Sequence, residues 1–164
     1  MIIDNLSNLK NIPDFILIGS GPASISCALS LEKRNKTCLI LEAGDIEYTE
    51  ESQKNYQGSV IGDPYADLDI ARLRYFGGSS NHWGGWCRPL DSYDFDSWLI
   101  KYEEINQYLS EACRILKLKN NFNSENLINE NFKQVTFELS EPPVKFGERY
   151  KAHIFKSKNI NIAF

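Results

Sequence analysis

The sequence has few cysteines and no long apolar run. Its four cysteines, Cys27, Cys38, Cys87 and Cys113, are far apart and form no C-x-x-C pair, which excludes the spacing of a zinc site or of a disulfide-rich secreted domain. No stretch approaches the roughly 20 apolar residues that span a bilayer, and residues 1–13 lack the basic start and apolar run of a signal peptide. We therefore expect a cytoplasmic protein with reduced thiols and no membrane span.

Basic residues are too few and too scattered for a nucleic-acid partner. The 164 residues include 18 Lys and Arg against 22 Asp and Glu, a formal net charge of −4, without a basic cluster. Three carboxylates gather at Asp91, Asp94 and Asp96, but the glycine and terminal glutamate of a calcium loop are missing, so we expect no metal. The length suggests one domain or slightly more.

The first organised segment is a strand, a helix and a second strand. Residues 15–18 form an unbroken apolar run, typical of a strand covered on both faces. Pro22 suits a first helical turn, and apolar residues recur at helical spacing as far as Lys33. Residues 37–41 form a second apolar strand. The pattern predicts a βαβ unit of roughly 30 residues.

Glycines at the first turn of this unit predict a dinucleotide site. Gly19 permits a tight turn, and Gly21 lets the backbone approach a pyrophosphate at the helix N-terminus. The third position of the fingerprint is Ser24 rather than glycine. Glu42, at the end of the second strand, can accept hydrogen bonds from a ribose diol and would repel the 2′-phosphate of NADP. The candidate residues are Gly19, Ser20, Gly21, Pro22, Ala23, Glu42 and Ala43; the alternative is an ordinary βαβ unit with a tight turn and no ligand.

A second unusual stretch is residues 72–89, which hold four glycines, two tryptophans and one of the two histidines. Paired glycines allow a backbone to come close to a bound group, and Trp, His and Asn side chains offer flat surfaces and hydrogen bonds. A planar ligand would use all of these features. The alternative is a surface loop whose aromatic side chains close the edge of a core. The long polar stretch 45–71 before it is typical of a functional loop or lid.

The rest of the chain predicts packing elements. We expect a helix over residues 97–118, capped by Asp94 or Asp96, a polar connector over 120–131, a strand over 135–139, an ambiguous short helix over 147–157 and a final strand over 159–164. His153, in the ambiguous segment, is of a kind more often structural than catalytic. A chain that stops inside an apolar strand looks cut short.

Residues 16–23, 39–44 and 77–85 together resemble the N-terminal flavin motifs of the glucose-methanol-choline oxidoreductase family. The resemblance covers nearly the whole chain and only the first part of a family member. It implies FAD, with its pyrophosphate at the first motif, its adenosine ribose at Glu42 and its isoalloxazine side at the third. It adds as cofactor-binding residues Gly77, Gly78, Ser79, Asn81, His82, Trp83 and Gly84. The implied reaction is hydride transfer from an alcohol, often a sugar or polyol, to the flavin.

In some members of that family a histidine near the glycine pair is joined covalently to the flavin, whereas many related flavoenzymes hold FAD without a bond. His82 is similarly placed, and it could also stack or hydrogen-bond near the ring. The family's proton-abstracting histidine belongs to the C-terminal part, so no catalytic residue is assigned here.

The expected fold class is α/β: a Rossmann-like FAD-binding unit with its cofactor loop over residues 1–97, and a helix and strands that begin an incomplete second part over 98–164. We expect the last strand to pair beside the strand at residues 39–41, and this chain alone to be inactive unless a complementing C-terminal chain is supplied. Two other hypotheses are a non-catalytic nucleotide-binding remnant and an NAD-dependent dehydrogenase, which leaves residues 72–89 unexplained.

Overall fold

The computed structural model describes residues 1–9, 11–122 and 126–164. Its strands are β1 (Phe15–Ile18), β2 (Cys38–Leu41), β3 (Trp86–Cys87), β4 (Asn126–Asn129), β5 (Phe132–Gln134), β6 (Glu138–Leu139) and β7 (Ile160–Ala163). Its α-helices are α1 (Pro22–Glu32), α2 (Glu50–Gln53), α3 (Leu68–Ala71), α4 (Tyr102–Asn106), α5 (Leu109–Leu116) and α6 (Phe146–Lys156). Short 3-10 helices lie at Leu6–Asn8, Lys54–Tyr56, Gly78–Asn81 and Ser92–Phe95.

The chain forms two compact units. The first contains Met1–Trp83 and Lys145–Phe164, and the second contains Gly84–Val144. The first unit therefore combines the N-terminal βαβ segment with α6 and β7 from the other end of the sequence. None of the described helices is long and apolar enough to cross a bilayer.

A parallel three-stranded sheet in the order β1-β2-β7 forms the core of the first unit. Phe15 pairs with Cys38 and Cys38 with Ile160, so alternate residues of the three strands share a face. Cys38, Ile40, Ile160 and Ile162 are fully buried on that face. The predicted βαβ order and the predicted position of the last strand beside β2 are both confirmed, and the fold is α/β.

Helices α1 and α6 contact this sheet and each other. Helix α1 begins where the sequence predicts, with Gly21 as N-cap and Pro22 in the first turn, because proline lacks only an N–H that the helix would not use there. Ile25 of α1 and Ile154 of α6 are fully buried. Burial also raises the pKa of the Cys38 thiol to about 11, so this cysteine stays protonated and inert at neutral pH.

Strand β1 is not covered on both faces, and that prediction was wrong. Ile16 is 59% and Ile18 is 78% exposed. Ile16 and Ile18 share one face of β1, and β1 is an edge strand that pairs with β2 alone among the described strands, so this face lies at the margin of the sheet. An unbroken apolar run is compatible with a buried strand, but it does not show that another element packs on that strand.

The single helix predicted over residues 97–118 is also wrong, because the segment forms the two shorter helices α4 and α5. Tyr108, between them, has φ −93° and ψ 0°, outside the helical range. Trp98 and Leu99 fit the helical spacing of apolar residues that predicts a buried face, but Trp98 is 53% exposed and Leu99 is fully exposed. Apolar spacing continues across the two-residue break at Gln107 and Tyr108, so periodicity alone predicts one long helix.

Neither Asp94 nor Asp96 is the helix N-cap that the sequence predicts, and the aspartate that does cap a helix is Asp91. Asp91 is the N-cap of the 3-10 helix Ser92–Phe95, and Arg88 Nη1 and Nη2 donate to its two oxygens at 2.6 and 2.8 Å. The Arg88 hydrogen bonds are the main reason that the pKa of Asp91 falls to about 2. The N-cap of α4 is Lys101, so neither predicted aspartate caps that helix.

Residues 120–131 are not simply a connector, since they contain β4, which pairs with the following β5 as an antiparallel hairpin. Asn129 Oδ1 accepts hydrogen bonds from the N–H groups of Asn131 and Phe132 at 2.9 and 3.0 Å, a local turn that apolar patterning does not reveal. The part of the connector prediction at residues 123–125 lies outside the described residues. The strand predicted over 135–139 is shorter, β6, and pairs with β3; the ambiguous segment 147–157 is the helix α6.

Candidate functional site

The turn between β1 and α1 exposes its backbone at two glycines. Gly19 has φ +83°, a left-handed conformation that glycine adopts at little cost. Gly21 has φ −71° and ψ 179° and caps α1. A Cβ atom added at either glycine would meet nothing within 4 Å. The turn therefore has free space at the positions where a dinucleotide-binding loop meets a pyrophosphate.

Glu42 follows β2 and is fixed by three hydrogen bonds. Its Oε2 accepts from the Ser20 N–H at 2.7 Å and from the Ser20 hydroxyl at 2.6 Å. Its Oε1 accepts from the Gly44 N–H at 2.8 Å. A carboxylate offers about four lone-pair positions, so one acceptor position remains, on Oε1. The carboxylate is held rigidly beside the first turn and can still accept one more donor.

Ser20 connects this turn to the glycine pair predicted as the flavin loop. Its side chain is fully buried, and its Oγ accepts a hydrogen bond from the Gly77 N–H at 3.1 Å. A Cβ atom added at Gly78 would lie 3.5 Å from the Cα atom of Gly21. The structure thus brings the two glycine-bearing turns into contact at the carboxyl end of the parallel sheet.

Gly77 is the most constrained residue of the loop. Its φ is +93°, and an added Cβ would lie 2.3 Å from the nitrogen and 2.5 Å from the Cα atom of Gly147, at the start of α6. The Ser80 hydroxyl donates to the Gly77 carbonyl at 2.8 Å and accepts from the Phe146 N–H at 3.1 Å. Only glycine fits this position, and it ties the loop to α6.

The sequence analysis missed Ser80, which is buried and holds the loop in place. The run Gly77-Gly78-Ser79-Ser80 contains two serines, and no sequence signal shows which of them points inward. Ser79, a predicted site residue, accepts from the Leu73 N–H at 3.1 Å and is half-buried.

Asn81, another predicted site residue, has its side chain directed into the protein. Its Nδ2 donates to the Phe76 carbonyl at 2.8 Å, and its buried Oδ1 has no hydrogen-bond partner within the described residues. A cavity of about 120 Å³ adjoins it, lined in part by Tyr75, Phe76 and Gly147. Asn81 therefore supports the loop from inside.

The remaining predicted residues lie nearer to solvent. His82 is exposed at the end of the 3-10 helix Gly78–Asn81, where its N–H donates to the Ser79 carbonyl at 3.3 Å, and its ring makes no hydrogen bond within the part of the chain that the structure describes. Trp83 is half-buried. Exposed positions are taken by Pro22, Ala23 and Ala43 in the first unit and by Gly84 in the second unit.

The second histidine is far from the glycine turns. His153 Nε2 lies 2.5 Å from Glu32 Oε2, and Glu32 is the last residue of α1, the helix that begins at Pro22. A helix of 11 residues is about 16 Å long at 1.5 Å per residue. His153 therefore belongs to an ion pair at the other end of the helix.

The candidate site consists of one open turn, one anchored carboxylate and one glycine loop held by two buried serines. This combination can hold an elongated nucleotide by backbone donors and a carboxylate acceptor. The sequence matches no protein-family model, and no curated protein matches it.

Proposed function

We propose that this chain binds FAD and forms the cofactor-holding part of an oxidoreductase that transfers hydride from an alcohol CH–OH group to the flavin. The observation that carries the proposal is the hydrogen bond from the Gly77 N–H to Ser20 Oγ at 3.1 Å, because it joins two separate motifs into one site. Ligands of open parallel sheets bind at the carboxyl ends of the strands, which is where this contact lies.

The pyrophosphate is assigned to the turn at Gly19 and Gly21. Both glycines face open space, and the first turn of α1 presents backbone N–H groups and the positive end of the helix dipole. A dianionic pyrophosphate fits this environment. The absence of a Cβ at Gly21 lets phosphate oxygens come within hydrogen-bonding distance of the backbone.

The adenosine ribose is assigned to Glu42. Three of the four acceptor positions of this carboxylate are occupied by Ser20 and Gly44, so it accepts one ribose hydroxyl on Oε1 rather than both. The same negative charge disfavours a ribose 2′-phosphate. The site therefore suits FAD or NAD better than NADP.

The flavin end is assigned to the loop at Gly77, Gly78 and His82. Bound flavin supplies the hydride-accepting chemistry, and the protein supplies its orientation. His82 is exposed beside the glycine pair, so its imidazole is free to stack on a ring or to carry a covalent bond to it.

A second candidate function is nucleotide binding without turnover by this chain. The observation in its favour is the position of His153, which is paired with Glu32 and is not available as a base at the glycine turns. A complementing polypeptide would then supply the proton acceptor. Strand β1 pairs only with β2 among the described strands, and this supports the second candidate by offering an unpaired strand edge to a partner.

The visible spectrum of the purified protein tests the proposal. We expect flavin absorption bands, either on purification or after incubation with FAD and removal of excess ligand. If the colour stays with protein precipitated by acid, the flavin is covalently bound, and a His82→Asn variant should release it. A chain that stays colourless with FAD and binds NAD instead would favour the dehydrogenase hypothesis.

A further inference from the structure

Ser20 links the ribose end of the proposed site to its glycine loop. It donates its hydroxyl proton to Glu42 Oε2 at 2.6 Å and accepts from the Gly77 N–H at 3.1 Å. We propose that Ser20 is a positioning residue that couples the two ends of the site, so that its hydroxyl is needed for a ligand that reaches both ends. This inference rests on the proposed FAD site.

The hydroxyl is suited to this role because it donates its hydrogen to Glu42 Oε2, which leaves its oxygen to accept the Gly77 N–H. A hydrogen bond from a hydroxyl to a carboxylate is charge-assisted and short, and it increases the electron density available on the oxygen for the second bond. Ser20 is fully buried, as is Gly77. Among the described residues, only Ser20 Oγ accepts a hydrogen bond from the Gly77 N–H.

Removal of the hydroxyl would separate the two ends without detaching the carboxylate. In Ser20→Ala the Gly77 N–H becomes a buried unsatisfied donor, which destabilises the loop position. Glu42 keeps its bonds from the Ser20 and Gly44 backbone N–H groups, because neither involves the serine side chain. The substitution therefore perturbs the glycine loop while the ribose acceptor stays anchored.

Two ligands of different length distinguish coupling from a general loss of structure. ADP reaches the turn at Gly21 and the Glu42 carboxylate, whereas FAD also reaches the loop. We expect Ser20→Ala to weaken FAD binding by roughly 10- to 100-fold, as for loss of one buried hydrogen bond, and to change ADP affinity by less than about threefold. Isothermal titration of both ligands measures the ratio.

Ser140 provides a matched control. It is also fully buried, and its Oγ also accepts from a backbone N–H, that of Val144, at 3.1 Å, but it belongs to the second unit. Ser140→Ala should leave both affinities unchanged. If Ser20→Ala does not fold, Ser20→Cys replaces it, because its thiol fills the space of the hydroxyl, although it is somewhat larger, and its sulfur is only a weak acceptor.

Amide exchange of Gly77 in the ligand-free protein tests the coupling without a cofactor. In Ser20→Ala we expect it to be at least about tenfold faster, because the donor loses its acceptor. Unchanged exchange, or equal losses of FAD and ADP affinity, would overturn the coupling and leave the proposed function intact. A wild-type chain that binds neither ligand would overturn the proposed function and this inference with it.

Discussion

The Gly21→Ala substitution should have little effect on the stability of the fold and a large effect on FAD affinity. The added Cβ would meet nothing within 4 Å, and the φ of −71° is one that alanine adopts freely. The N-cap position prefers glycine to alanine by roughly 0.5–1.5 kcal/mol, but alanine also lowers the entropy of the unfolded chain, which offsets about 0.4–1 kcal/mol. The free energy of unfolding should therefore change by less than about 1 kcal/mol. Urea unfolding followed by circular dichroism measures this change.

Binding should respond quite differently. The free space at Gly21 is where we place the pyrophosphate, and a methyl group forced against a bound group costs about 1–3 kcal/mol. That cost corresponds to FAD affinity lower by roughly 5- to 150-fold, measured by quenching of flavin fluorescence on titration. Equal FAD affinity in the variant and the wild type would refute the assignment of the pyrophosphate to this turn, and loss of both stability and binding would refute the claim that the position is open.

Three further predictions concern the fold. Gly77→Ala should lower the free energy of unfolding by about 2–4 kcal/mol, because left-handed strain adds to a clash with the backbone of α6; Gly58→Ala, where the space is open, is the control in the same urea titration, and equal effects would contradict the explanation. Ile16→Lys should reduce light scattering at high concentration by charging the open edge of β1, with a change in stability below about 1 kcal/mol; unchanged scattering would show that another surface associates. The pKa of Asp91 is about 2, below its ordinary 3.8, so the stabilisation from its pair with Arg88 should be present above about pH 4 and lost as the pH falls towards 2; Arg88→Gln should raise this pKa in an NMR titration, and no rise would contradict the cause.

The sequence predicts the first unit well where local signals agree with one another. The apolar run before Gly19, Pro22 in the first helical turn and the second run before Glu42 are each short-range features, and the structure has β1, α1 and β2 at those places. The position of β7 beside β2 was also predicted. The resemblance to a known family, rather than periodicity, supplied that long-range pairing.

The second unit was predicted less well because its features depend on single residues. The break at Tyr108 and the turn at Asn129 are local backbone events that do not disturb apolar spacing. In the first unit, the exposure of Ile18 depends on whether another element covers β1, which the run of residues does not encode. In the site, Ser80 was missed because the burial of one serine among two is decided by tertiary packing.

The convergence of the two glycine turns on one ligand is tested most directly by amide NMR during titration with FAD. If one dinucleotide spans both turns, the signals of Gly21 and Gly78 should shift together, with one saturation curve, while ADP should shift Gly21 much more than Gly78. Movement of only one of these signals with saturating FAD, or of neither, would contradict the account.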